Sequence, residues 1–289
     1  FEATMRWVRE WFQVLPLGEA AGRLFDGSLP ARAMAITFDD GYADNEQLAA
    51  PILRSLGLSA TFFVSTGFLG DGCMWNDRVI AAGATCCAAR WAMRGTGASR
   101  LDLEPFGLGR LPTGTAAERR ATIHAILKGV KHLEPAARLA AVERVERATG
   151  VGTPPRPMMQ PAQLRSLHAM GMELGGHTVT HPILAKLEAR EAQAEIARGK
   201  QQIEDIVGAP VDVFAYPNGV PDQDYGAEHA AMVRACGFKA AVSTAWGAGG
   251  MASDRFQLPR FTPWDRTRLR YGLRLLDNLR RRERTASAA

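Results

Sequence analysis

The sequence predicts an α/β fold of the (β/α) barrel type. Three observations carry that expectation. Short apolar strands alternate with amphipathic helices along the chain, the first complete set reads strand, helix, strand as a parallel βαβ unit, and the residues able to do chemistry follow strand carboxyl ends, the face on which such barrels place their active sites. An open doubly wound sheet would give the same local signals.

Taken in order, Met5 to Leu15 reads as a helix running into a short strand at Phe12–Leu15, and Leu17 to Leu24 as a second helix before a turn at Gly27–Pro30. Ala33-Met34-Ala35-Ile36-Thr37-Phe38 is apolar enough for a buried strand. Asn45 to Leu56 is helical, with Gly57 as its stop, and Ala60–Ser65 is rich in the β-branched and aromatic residues of a strand. Residues 71–157 break the rhythm. They hold a Gly-rich middle (Gly95 to Gly114) and two helical patterns, Ala116–Lys131 and Pro135–Ala148, and are expected to be a helical insertion within one domain spanning 1–289. Pro-rich Thr153–Pro157 marks the return. A helix over Gln160–Met170 then leads to a strand at Met172–Gly175, a long amphipathic helix to Glu188–Val207, and a strand to Val211–Tyr216. A helix over Glu228–Cys236 and a strand over Ala240–Ser243 follow.

The 289 residues, 46% hydrophobic and 22% charged, leave ample material for a core. No apolar run approaches the ~18 residues of a membrane span. The net charge of +5 is concentrated: residues 266–284 hold eight arginines against Asp277 and Glu283, which leaves the rest of the chain near −1. A general nucleic-acid-binding surface is therefore not expected. That basic segment also carries Leu269, Leu273, Leu276 and Leu279 at helical spacing, predicting a closing helix packed on the barrel with a solvated Arg face, and weak contact with anionic surfaces as the alternative. Cys73, Cys86, Cys87 and Cys236 form no Cys-x-x-Cys and are read as free thiols, which points to a reducing, cytoplasmic setting. Because the chain starts at Phe1, a leader or first strand is expected to precede it in a complete protein.

Two distant fragments fit together as one metal site. Asp39 and Asp40 close the first apolar strand, and His177 and His181 follow the Met172–Gly175 strand. Two imidazoles and one carboxylate suit Zn²⁺ or a similar divalent ion (Co²⁺, Mn²⁺ or Ni²⁺) with positions left open. Two adjacent carboxylates repel unless a cation lies between them, so a metal on Asp40 would keep Asp39 ionised and able to act as a base. Asp-Asp-Gly alone also describes a turn with a solvated acidic tip. Gly175 and Gly176 are expected to let the backbone approach the metal closely.

Thr37-Phe38-Asp39-Asp40-Gly41 with His177-Thr178-Val179-Thr180-His181 resembles the polysaccharide deacetylase family, whose catalytic unit is the NodB homology domain (carbohydrate esterase family 4-like). Phe214-Ala215-Tyr216-Pro217-Asn218-Gly219 resembles its third motif. The likeness runs from about Leu29 to Arg260, outside the insertion. It implies a distorted (β/α)₇ barrel, Asp39 as general base, Asp40, His177 and His181 as metal ligands, Thr178 as support for the ligand loop, and the Asn218 N–H beside Tyr216 and Pro217 as the oxyanion donor. Where family members carry an Arg in the third motif, this chain has Ala215, and Arg260 is the candidate replacement. The late histidine that often serves as general acid has no counterpart, since no histidine follows His229. Tyr42, Tyr216, Pro217 and Trp246, with Trp75 and Trp264 in expected loops, are candidates to line a sugar site. The expected activity is removal of N-acetyl groups from an amino-sugar glycan of a bacterial exopolysaccharide or envelope. The alternatives are a catalytically weak carbohydrate-binding homologue and an amidase acting on a non-polysaccharide amide.

Overall fold

The computed structural model describes residues 1–84, 100–150, 157–281 and 284–287, which form two compact units, Phe1–Gly70 with Met158–Ala289 and Asp71–Pro157. The first unit opens with α1 (Glu2–Trp11), β1 (Gln13–Val14), α2 (Leu17–Phe25), β2 (Ala33–Met34) and β3 (Thr37–Phe38). The expected single strand over 33–38 is thus two short ones. Its first half pairs in parallel with β1, and its second half pairs with β4 (Thr61–Val64), so the segment changes partners at Ala35-Ile36. Between β3 and β4 the chain makes a π turn, Asn45–Ala49, before α3 (Ala50–Ser55). Pro51 has no N–H to donate back into that turn, which favours the wider register at the start of the predicted helix.

In the second unit, α4 (Trp75–Ala84) is followed by an antiparallel hairpin, β5 (Arg100–Leu103) and β6 (Gly109–Pro112), and by α5 (Ala116–Val130) and α6 (Pro135–Thr149). The hairpin falls in the Gly-rich middle and corrects the purely helical expectation for this stretch. Leu101 and Leu103 alternate inward with solvent-side neighbours and join Val79, Ile126, Val142 and Val145 in a core of the unit's own. Thr115 and Glu118 close a capping box at the start of α5, and Arg78 binds Glu146 at 2.8 and 2.6 Å. Trp75 opens α4 rather than lying in a loop, and Asp77 sits in that helix's first turn. Cys86 and Cys87 lie outside the described residues, while Cys73 and Cys236 are free and half-buried.

The first unit resumes with α7 (Pro161–Ala169), β7 (Glu173–Gly176), α8 (Ala189–Val207), β8 (Val213–Ala215), α9 (Ala227–Ala235), β9 (Ala240–Val242) and α10 (Arg268–Leu279). Its main sheet is parallel throughout, in the order β3-β4-β7-β8-β9. The sheet curls, giving an α/β fold of half-barrel form. Every residue of β4 is buried because both faces are covered. Phe62 and Val64 meet the core under the helices, and Phe63 meets a second cluster with Leu17, Val213, Ala215, Ala240 and Val242. An isolated parallel bridge, Val242↔Leu258, extends the pairing past β9 and brings Arg260 to the carboxyl ends of the strands.

Candidate metal centre and active site

Two strand ends build the site. At the end of β3, Asp40 and Gly41 adopt left-handed backbone (φ 76° and 91°), turning the chain sharply just after Phe38. The turn is fixed from both sides: Ser65 N donates to Asp40 O at 3.3 Å, and Met159 N donates to Gly41 O at 2.9 Å. A Cβ on Gly41 would stand 3.1 Å from Val64 Cγ1 in a conformation side chains rarely take, so this position requires glycine.

At the end of β7, His177 N donates to Val64 O at 3.2 Å, and Ser65 Oγ donates to His177 O at 2.9 Å. Thr178 and His181 are again left-handed (φ 63° and 52°). The Thr178 hydroxyl bonds His177 O at 2.5 Å and accepts from His181 N at 3.1 Å, closing the loop on itself. The Glu195 carboxylate on α8 accepts from Val179 N and Thr180 N, both at 2.8 Å, and from Thr180 Oγ at 2.9 Å. Gly199, one turn on, lets α8 lie against the loop: a Cβ there would meet the Thr178 carbonyl at 2.9 Å. Sequence reading missed both residues. Their four-residue spacing puts them on one helix face, but nothing local shows what that face meets.

The ligand geometry follows. His177 Nδ1 lies 2.7 Å from Ala215 O, and a carbonyl only accepts, so Nδ1 carries the proton and Nε2 is left with a lone pair for the site. His177 Nε2 and His181 Nε2 lie 3.4 and 3.3 Å from Asp40 Oδ1, and the three candidate ligand atoms all fall within 4.8 Å of one another. Burial alone would lower the His177 pKa, yet the hydrogen bond that a protonated Nε2 would donate to Asp40, with the Asp39 and Asp40 charges, raises it. The local potential thus favours a positive charge. Two imidazoles and a carboxylate around such a point fit a divalent metal.

Asp39 is treated differently from Asp40. Arg260 grips its carboxylate at 2.6 and 2.8 Å, and the same guanidinium donates to Ser243 O at 2.9 Å and to Thr37 Oγ at 3.3 Å. Burial pushes the Asp39 pKa up, but the charge of Arg260, the two histidines and the Arg260 hydrogen bonds outweigh it and bring it down to about 2. The cation sought in place of a motif arginine at Ala215 is therefore beside the carboxylate, delivered from the segment after β9.

The remaining candidates divide. Asn218 follows β8 in left-handed backbone (φ 61°), its carbonyl accepts from Thr244 Oγ at 2.8 Å, and its N–H makes no hydrogen bond among the described residues. Tyr216 is a correction. It is fully buried, stacked on Tyr225 with centroids 3.8 Å apart, and its hydroxyl donates to Phe256 O at 2.8 Å, so it packs the core and cannot line a sugar site. Pro217 is likewise buried. Trp246 packs edge-on to Phe261, and one of its faces lies under the Arg281 guanidinium. Tyr42 is half-buried and bridges to Met158. Gly175 and Gly176 serve packing rather than metal approach: added Cβ atoms would stand 2.3 Å from Phe63 and 2.8 Å from Phe238. His229 caps α9 by accepting from Gly226 N at 2.9 Å.

The profile of the polysaccharide deacetylase family matches residues 26–89 and 116–241, and the chain belongs to that family. YxkH of Bacillus subtilis (strain 168), a polysaccharide deacetylase by name, is 42% identical over 66 residues, which is 22% of this chain and 24% of that protein. The Streptococcus pyogenes deacetylase PplD, solved in complex with acetate, superposes with a TM-score of 0.56 at 17% identity, covering 90% of this chain and 78% of its own. The BpsB deacetylase domain of Bordetella bronchiseptica gives 0.52 at 15%, covering 89% and 82%. At such identities the likeness is one of fold, the NodB-type (β/α) barrel.

Proposed function

We propose that the protein is a metal-dependent hydrolase that removes N-acetyl groups from an amino-sugar glycan of a bacterial exopolysaccharide or envelope. The observation that carries this reading is the pairing of Asp39, held ionised by Arg260, with the adjacent cluster of Asp40, His177 and His181. Family membership supports the reaction class, and the acetate in the PplD complex is the product such a reaction releases.

Asp40, His177 and His181 would hold the ion, zinc or a similar divalent metal, which supplies Lewis-acid polarisation of the amide carbonyl and a more acidic water. Asp39 accepts the proton of the attacking water, and Arg260 fixes which way its two oxygens face. The Asn218 N–H is the donor available to the developing oxyanion. With His229 occupied as a helix cap, Asp39 is the group positioned to return the proton to the leaving amine.

Acetate release from N-acetylglucosamine oligomers by zinc-loaded protein, with Asp39→Asn alongside, tests the reading. Release by the wild type that the variant abolishes is the expected outcome. Zinc binding and glycan binding without release would sink the enzyme assignment in favour of a non-catalytic homologue.

A further inference from the structure

The closing helix α10 presents the wrong face for a helix that only packs. Its inward positions are taken by Tyr271, Leu275 and Asn278; Tyr271 is buried against Trp7 and Trp11, and Asn278 Nδ2 donates to Gly247 O at 2.8 Å. With successive residues 100° apart, Leu269, Leu273 and Leu276 fall within about 60° of arc on the opposite side. They are 72%, 57% and 56% exposed, with Leu279 at 64% and Trp264, just before the helix, at 81%. The other exposed large apolar side chains on described residues are scattered along the sequence, whereas these five share one short segment.

Charge surrounds the stripe. Arg266 precedes the first turn, Arg280 follows the last, and Arg270 stands beside the leucines. All three are exposed and make no ion pair among the described residues, whereas Arg268, Arg274 and Arg281 are neutralised by Glu10, Asp265 and Asp277. An apolar stripe framed by unneutralised arginines suits an interface that is apolar inside and anionic at its edge. A second copy of the chain fits poorly, because joining the two stripes would bring two sets of these arginines together.

We propose that α10 docks the protein in the plane of an anionic lipid bilayer, with Leu269, Leu273, Leu276 and Trp264 entering the headgroup boundary and Arg266, Arg270 and Arg280 contacting lipid phosphates. No helix among the described residues is long and apolar enough to cross a membrane, and this contact requires none. The inference is independent of the deacetylase reading.

The test is vesicle flotation with phosphatidylcholine alone and with equal parts phosphatidylcholine and phosphatidylglycerol. Wild-type protein is expected to bind the anionic vesicles at least tenfold more tightly, and less so as salt is raised. Leu269→Glu/Leu273→Glu/Leu276→Glu should abolish binding to both while leaving thermal unfolding and the far-UV circular dichroism spectrum unchanged. Arg266→Gln/Arg270→Gln/Arg280→Gln should lose about fivefold in affinity per arginine on the anionic vesicles alone. Equal binding of the wild type to both vesicles, no binding to either, or a leucine variant that binds like wild type overturns the proposal. So does a dimer in sedimentation that the leucine variant dissolves while vesicle binding is absent, which assigns the stripe to a second copy.

Discussion

The two ends of the main parallel sheet each hold a carboxylate in a polar cluster, and they treat it in opposite ways. At the amino ends, Glu173 receives only neutral donors among the described residues: Thr61 Oγ at 2.5 Å and Gly18 N, at the start of α2, at 3.0 and 3.2 Å. Burial raises its pKa, and these hydrogen bonds do not recover it. At the carboxyl ends, Asp39 also pays for burial, but Arg260 supplies a full charge and its pKa drops to about 2. Neutral donors position a carboxyl group, whereas a cation keeps it a base. The stability consequences have opposite sign. Asp39, depressed below its ordinary 3.8, stabilises the fold above that pH and loses the contribution as pH falls towards about 2. Glu173, raised above 4.5, contributes below that pH and loses the contribution as pH rises through its folded value.

The largest break in this contrast is Asp39→Asn. We predict a fall in kcat/KM of about 10²–10⁴, the usual worth of a general base, with zinc content unchanged; normal turnover would show that another group takes the proton. Arg260→Gln should come next, with a loss of about tenfold to a hundredfold, less than removal of the base itself. It should also move the acid limb of the pH–rate profile to higher pH, because burial then acts on Asp39 without its strongest opponent. A profile that keeps its wild-type limb would assign Arg260 a packing role. Glu195→Ala leaves every ligand in place but frees the loop between the histidines, and should weaken zinc binding by about tenfold, read by competition with a chromophoric chelator. The smallest effect is expected at the other end of the strands. Glu173→Gln mimics the protonated acid, so its stability relative to wild type should improve between pH 4 and pH 7 by about 1 kcal/mol, the scale of one hydrogen bond. Urea midpoints that track each other across that range would contradict the raised pKa.

Much of this was legible in the sequence because the signals were local. Asp39, Asp40, His177 and His181 sit in short motifs after apolar strands, and the (β/α) alternation is written in hydrophobic period. Residues whose meaning depends on a distant surface were not legible. Glu195 looks like any solvated helix glutamate until α8 is laid beside the histidine loop. Tyr216 sits next to a motif yet points into the core, because alternate side chains of an extended segment face opposite ways. The leucines of α10 read as a packing stripe, since spacing shows that a helix has an apolar face but not which way it turns. The hairpin at Arg100–Pro112 was hidden by glycines whose composition suggests an irregular loop.

The points where the chain leaves and re-enters the first unit also have a consequence. Gly70 N donates to Met159 O at 2.9 Å, and Gln160 Nε2 returns a bond to Gly70 O at 2.9 Å, so departure and arrival are stapled side by side. Residues 71–157 therefore form a closed excursion with a hydrophobic core of their own. Because loop-closure entropy grows only slowly with length, an excursion of this length costs the first unit little more chain entropy than a short turn would.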